Sequence, residues 1–235
     1  MAIVSLLLLN GCGMLGVAKK PEVGPAGAPV ETKPNPPLTQ RFISPPGELS
    51  DLEATAGVIF EGIIKNNWLQ AETGLNTLSE LWPRTKALIG DKKGVKDADE
   101  ALEKLKLGIH ERKSTDSHES LAKFMGSMSD IGKSYKLSPI SDVIGVGNAI
   151  RTVYFYVESN DWLKAKAKMK ELDGVWGQAK PNMETFGILK KVTITHSIIK
   201  QMKDAVEAEN KGSIKEHIAT INENMGYIRD YYRGK

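Results

Sequence analysis

Asn66-Asn67-Trp68-Leu69-Gln70-Ala71 recurs as Asn160-Asp161-Trp162-Leu163-Lys164-Ala165, displaced by 94 residues. The same displacement carries Leu78 onto Leu172, Trp82 onto Trp176 and Lys86 onto Lys180. Two Trp pairs at one spacing point to a duplicated segment. A shift of 97 then aligns Leu105 with Met202, Ile109 with Val206, Glu119 with Glu216, Ala122 with Ala219, Met128 with Met225, Ile131 with Ile228 and Tyr135 with Tyr232, so three extra residues fall near Phe186-Gly187. Copies of about 90 residues are too long for one turn of a solenoid and imply duplication of a multi-helix unit.

The apolar spacing within each copy is helical. Trp68, Ala71, Leu75, Leu78 and Trp82 step by threes and fours, as do Trp162, Ala165, Met169, Leu172 and Trp176, which puts each set on one stripe facing a core. Leu102, Leu105 and Ile109, then Leu121, Phe124, Met128 and Ile131, repeat the pattern in the first copy; Ile199, Met202 and Val206, then Ile218, Ile221, Met225 and Ile228, repeat it in the second. Asn66-Asn67 and Asn160-Asp161 are capping residues before the Trp helices, and Asp116 and Ser213 are expected to cap the fourth helix of each copy. The pattern predicts eight helices, over 49–65, 67–88, 94–112, 115–135, 141–158, 161–184, 188–209 and 212–232. The fold class is therefore all-α, a duplicated four-helix unit with repeats at 48–138 and 139–235. Short links leave two packings open: two tandem four-helix bundles, or a continuous array of αα-hairpins.

Asp161-Trp162 followed by Ala165 at a helix start resembles the second-helix signal of tetratricopeptide-type hairpins, without the full repeat pattern of that family. Through Asp161-Trp162, Lys164-Ala165, Leu172 and Trp176 the second copy also resembles a family of short exported helical proteins of Gram-positive bacteria. That resemblance covers about 70 residues and implies no activity.

Upstream of the helices, Ile3-Val4-Ser5-Leu6-Leu7-Leu8-Leu9-Asn10-Gly11-Cys12 is an apolar run too short to span a bilayer. With Leu9 three residues before the cysteine and Gly11 just before it, the run resembles the lipobox of bacterial lipoprotein signal peptides. That resemblance implies cleavage after residue 11 and lipidation of Cys12, the only cysteine in the chain. Asn10 is unusual at its position, and no Lys or Arg precedes Lys19. Residues 12–47 read as a tether: eight of the eleven prolines lie between Pro21 and Pro46, where they remove amide donors and fix φ. The expected location is outside the cytoplasmic membrane, anchored to it through lipid.

The chain has 235 residues with 32 basic against 29 acidic ones, a net charge of +3 that gives no strong pull toward nucleic acid. Its single Cys excludes a disulfide scaffold. Chemical signatures are each missing a member. Gly145-Val146-Gly147 has neither the third glycine nor the strand of a nucleotide cradle and reads as tight helix packing. His118-Glu119 is followed by Ala122 where a zincin needs its second His. None of His110, His118, His196 and His217 has Glu three residues before it, as a di-iron bundle requires, and each reads as a surface or helix-end residue. Asp97, Asp99, Glu100 and Glu103 gather at the start of the third helix, where they offset its dipole. No catalytic residue, metal ligand or cofactor is assigned.

Two surfaces stand out. Lys164, Lys166, Lys168, Lys170 and Lys180 form a basic helix, read foremost as a solvated face. Five of the six tyrosines follow residue 150, and Tyr154, Tyr156, Tyr227 and Tyr231 are the candidate partner-binding residues on the fifth and eighth helices. The expected function is a noncatalytic, lipid-anchored module that binds an envelope protein or polymer. The competing expectation is a carrier of a small ligand, metal or haem between helices, for which His196 with Met225 is a possible axial pair.

Overall fold

The computed structural model describes residues 44–185 and 188–233. Cys12 with its apolar run, the Pro-rich stretch up to residue 43 and the insertion point at Phe186-Gly187 lie outside the described residues. Eight α-helices form among the described residues: α1 Gly47–Ile64, α2 Trp68–Ile89, α3 Val95–His110, α4 Ser114–Gly132, α5 Ile140–Glu158, α6 Trp162–Thr185, α7 Leu189–Glu207 and α8 Lys211–Tyr232. No predicted boundary misses by more than three residues.

The hairpins α1/α2, α3/α4, α5/α6 and α7/α8 share one turn. Its central residue is left-handed each time, Asn66 at φ 52° and Arg112, Asn160 and Glu209 at φ 55°. The next amide reaches back to the preceding helix, from Asn67 to the Gly62 carbonyl, Lys113 to Gly108, Asp161 to Tyr156 and Asn210 to Ala205, at 2.8–2.9 Å. This satisfies a carbonyl that the helix end would otherwise orphan. Asn67, Asp161 and Asn210 also cap the following helix, accepting from the amides of Gln70, Lys164 and Ser213. Here the structure corrects the expected caps: the turn's register puts Lys113 and Asn210 at the N-cap positions of α4 and α8, leaving Asp116 and Ser213 inside the first turns.

Neighbouring helices pack as two tandem four-helix units. In the first, α1 meets α2 and α4, and α3 meets α2 and α4; in the second, α5 meets α6 and α8, and α7 meets α6 and α8. The units are joined because α5 also packs on α4 and α1. Phe60 and Tyr154 meet, as do Glu53 and Arg151, so α1 and α5 run the same way and all four left-handed turns sit at one end. Gly47 and Arg233 lie side by side at the other, where Arg233 grips both carboxylate oxygens of Asp51 at 2.6 and 2.9 Å.

Trp82 and Trp176 anchor the two cores at 2% and 1% exposure. Each indole N–H is satisfied from the third helix of its unit: Trp82 donates to Asp99 Oδ1 at 2.6 Å and Trp176 to His196 Nδ1 at 3.0 Å. Asp99 and His196 are themselves related by the 97-residue shift. Trp68 and Trp162 are only half-buried, because a first-turn position at the end of a bundle leaves one side of the ring uncovered.

Candidate binding cleft between the two repeats

The joint between the units is tight on one side and open on the other. Where α4 meets α5 the contact residues are small: Ser129 and Ser141 hydrogen-bond at 3.2 Å, and a Cβ on Gly145 would stand 3.3 Å from Ser129 Oγ. Where α8 approaches α1 the contact is made by long side chains reaching across. The result is a cleft of about 490 Å³ walled by α1, α5 and α8.

Glu53 of α1 sits at the centre of its polar wall. It accepts from Arg151 Nη1 of α5 at 2.9 Å through Oε1 and from Arg229 Nη1 of α8 at 3.1 Å through Oε2. Glu53 and Arg151 side chains are each only 11% exposed. Gly147 makes this possible, since a Cβ there would lie 2.8 Å from Glu53 Oε1. The tight packing expected of Gly145-Val146-Gly147 is found, and its product is a seat for a buried carboxylate. Asp230 accepts from Arg229 Nε at 3.1 Å. Burial works against the Arg229 charge, but Glu53 and Asp230 overcome it and raise the pKa. The other half of the cleft is apolar, lined by Phe60, Ile64, Val143, Ile218 and Met225. Tyr154 joins the halves: its ring lies 6.2 Å from that of Phe60, and burial followed by the nearby Glu158 charge pushes its hydroxyl up to about 12. Burial would raise the Glu158 pKa, but hydrogen bonds from Lys211, Lys215 and Tyr154 bring it down.

A second, shallower groove of about 650 Å³ lies over the tight side, between α4, α5 and α6. His118 lies at its floor, 2% exposed, stacked on Phe155 at 4.1 Å and near the rings of Tyr156 and Phe60. The reading of His118 as a surface residue is thus wrong; α1 and α5 bury it. Desolvation, then the charges of Arg151 and Lys168, lower its pKa to about 3. Lys168 of α6 lines this groove, and the α6 lysines are mostly paired, Lys164 with Asp161, Lys166 with Glu209, Lys168 with Glu171 and Lys180 with Glu184. That pairing favours the solvated-face reading of the basic helix.

The four candidate tyrosines do not share one surface. Tyr154 lines the α1/α5/α8 cleft and Tyr156 is buried beside His118, whereas Tyr227 and Tyr231 are exposed on α8. Lys191 Nζ sits 5.0 Å over the Tyr227 ring, and Tyr231 meets Tyr232 edge-on. His196 Nδ1 is engaged by Trp176. Among the described residues no cluster of three or more His, Cys, Asp or Glu could hold a metal ion, and no helix is long and apolar enough to cross a membrane. Sequence reasoning missed Glu53, Arg151 and Arg229, whose partners are 98 and 176 residues apart. The one local trace was Gly147. Comparison with known proteins finds no matching family model, no similar curated protein and no similar solved structure.

Proposed function

We propose that the protein is a noncatalytic binding module, held outside the cytoplasmic membrane by lipid on Cys12, that captures a component of the cell envelope in the cleft between its repeats. The observation that carries the binding reading is the α1/α5/α8 cleft itself: a concave space of about 490 Å³ with one apolar wall and one wall of ion pairs that join the buried Glu53 to the half-buried Arg151 and Arg229. Ligand sites commonly combine those features, an apolar body for affinity and a few fixed polar groups for orientation. The cleft also supports the small-ligand carrier as a second reading, and the exposed Tyr227 and Tyr231 on α8 are the surface proposed for a macromolecular partner.

A photo-crosslinking residue placed at Gly57, on the cleft wall, tests the reading in the native envelope. A discrete adduct from position 57, absent when the crosslinker replaces the exposed Leu107, is expected. Adducts only from position 227, or from neither, would remove the cleft as the binding site. For the anchor, Cys12→Ser should abolish metabolic labelling with a fatty acid and move the protein to the soluble fraction. Retention of both label and membrane association would refute lipidation at Cys12.

A further inference from the structure

Leu69 and Leu163 are the most exposed large apolar side chains among the described residues, at 75% and 83%. They are mates under the 94-residue shift, and each directly follows a half-buried Trp. A lone exposed Leu needs no explanation, but here two diverged copies can be compared. From residue 47 to residue 90, seven residues are identical to their mates: Asn66, Trp68, Leu69, Ala71, Leu78, Trp82 and Lys86. Asn66 holds a left-handed turn, Ala71, Leu78 and Trp82 are buried, Trp68 packs on the core, and Lys86 and Lys180 are ion-paired. Leu69 alone is retained without a packing reason. No other exposed large apolar side chain among the described residues has a large apolar mate: Leu88 is matched by Asn182, Leu107 by Asp204, Leu189 by Lys92 and Tyr227 by Asp130.

The two Leu residues are also level with each other. The Phe60 ring lies 6.2 Å from that of its mate Tyr154, and a Cβ on Gly147 would lie 2.8 Å from Oε1 of its mate Glu53, so the copies run in register along the helices. Leu69 and Leu163 are each second in their helix, at the end that carries the four left-handed turns. Side chains on a helix lean toward its N-terminus, so both lean out past that end. The indole N–H groups of Trp68 and Trp162 have no hydrogen-bond partner among the described residues, unlike those of Trp82 and Trp176. In the links at this end Lys65, Arg112 and Lys113 are balanced by Glu111, Asp161 and Glu209. We propose that this end rests on a lipid bilayer, with Leu69 and Leu163 in the hydrocarbon and the Trp68 and Trp162 rings at headgroup level. Level, protruding apolar groups suit a flat, deformable partner that needs no matching pocket, and an indole with an unpaired N–H suits the boundary between hydrocarbon and water. Balanced links make the contact independent of anionic lipid. It goes beyond the binding reading and does not use the cleft. The 31 residues from 13 to 43 reach about 90 Å at about 3 Å each, against about 36 Å for the 24 residues of α6, so lipid on Cys12 permits this orientation although Ser44 enters at the opposite end.

Bromine on acyl chains quenches indole fluorescence at short range and tests the contact. The full chain, extracted in detergent and reconstituted with brominated phosphatidylcholine vesicles, should lose roughly a third of the emission it shows on unbrominated vesicles. Trp68→Phe combined with Trp162→Phe should remove nearly all of that loss, because the remaining indoles are buried. Leu69→Gln combined with Leu163→Gln keeps all four indoles and should cut the loss by about threefold or more, with helicity and melting as in the parent because both positions are exposed. A chain that fails to float with the vesicles, or floats without quenching as it would if a protein gripped this end, would overturn the proposal. Quenching unchanged by either pair of substitutions would overturn it as well. The result is separate from the fate of the anchor reading, since the bromines report which end meets the bilayer however the chain is held there.

Discussion

Burial among Phe60, Phe155 and Tyr156, with the charges of Arg151 and Lys168 nearby, holds His118 neutral down to about pH 3, whereas an unfolded chain binds that proton near pH 6.5. As pH falls below about 6.5 the unfolded state therefore gains a proton that the folded state refuses, and stability drops by about 1.4 kcal/mol per pH unit. Between pH 6.5 and 5 the loss from this group should reach about 2 kcal/mol in urea unfolding, and His118→Leu should flatten that part of the profile. An unchanged slope in His118→Leu would mean that another group governs it. The tryptophans set a second expectation at this scale. Trp82→Ala and Trp176→Ala should each destabilise by roughly 3–5 kcal/mol, since both indoles are fully enclosed. Near-parental melting in either variant would show that its core can close over the gap.

The repeated turn explains why so many element boundaries were legible in the sequence. Asn66-Asn67 and Asn160-Asp161 advertise a left-handed residue followed by a cap, and the Trp stripes behind them fix the helical period. The turns before α4 and α8 use the same geometry with Arg112-Lys113 and Glu209-Asn210, and three of those four residues carry no such signal. Asp116 and Ser213, capping types a few residues downstream, therefore attracted the reading instead. Lys113 is the one N-cap of the four hairpin turns without a side-chain acceptor. Lys113→Asn should supply one and stabilise α4 by about 0.5–1 kcal/mol, raising Tm by about 1–4 °C. The exposed ion pair it removes with Glu111 is worth little by comparison. A lower Tm would show that Asn is not seated as Asn67 and Asn210 are.

At the scale of the molecule, periodicity told how many helices there are and which stripe of each is buried, but not how one unit leans on the other. That depends on the difference between two joints: small residues at Ser129, Ser141 and Gly145 draw α4 onto α5, while Glu53, Arg151 and Arg229 bridge a wider gap on the far side. The cleft is a product of this asymmetry, so its residues come from three distant stretches and no local motif could announce it. The neighbouring ends of the helical body have a different consequence. Because Gly47 lies against Arg233, the path of the chain from α1 to α8 is nearly a closed ring, and its order of synthesis need not be the order in which its helices pack. A circular permutant that starts at Lys113, ends at Arg112 and rejoins Arg233 to Gly47 through a short Gly-Ser link should recover the parent's circular dichroism and melt in one transition. An aggregated or non-cooperative product would mean that the α3/α4 hairpin must form as an uninterrupted segment before the ring can close.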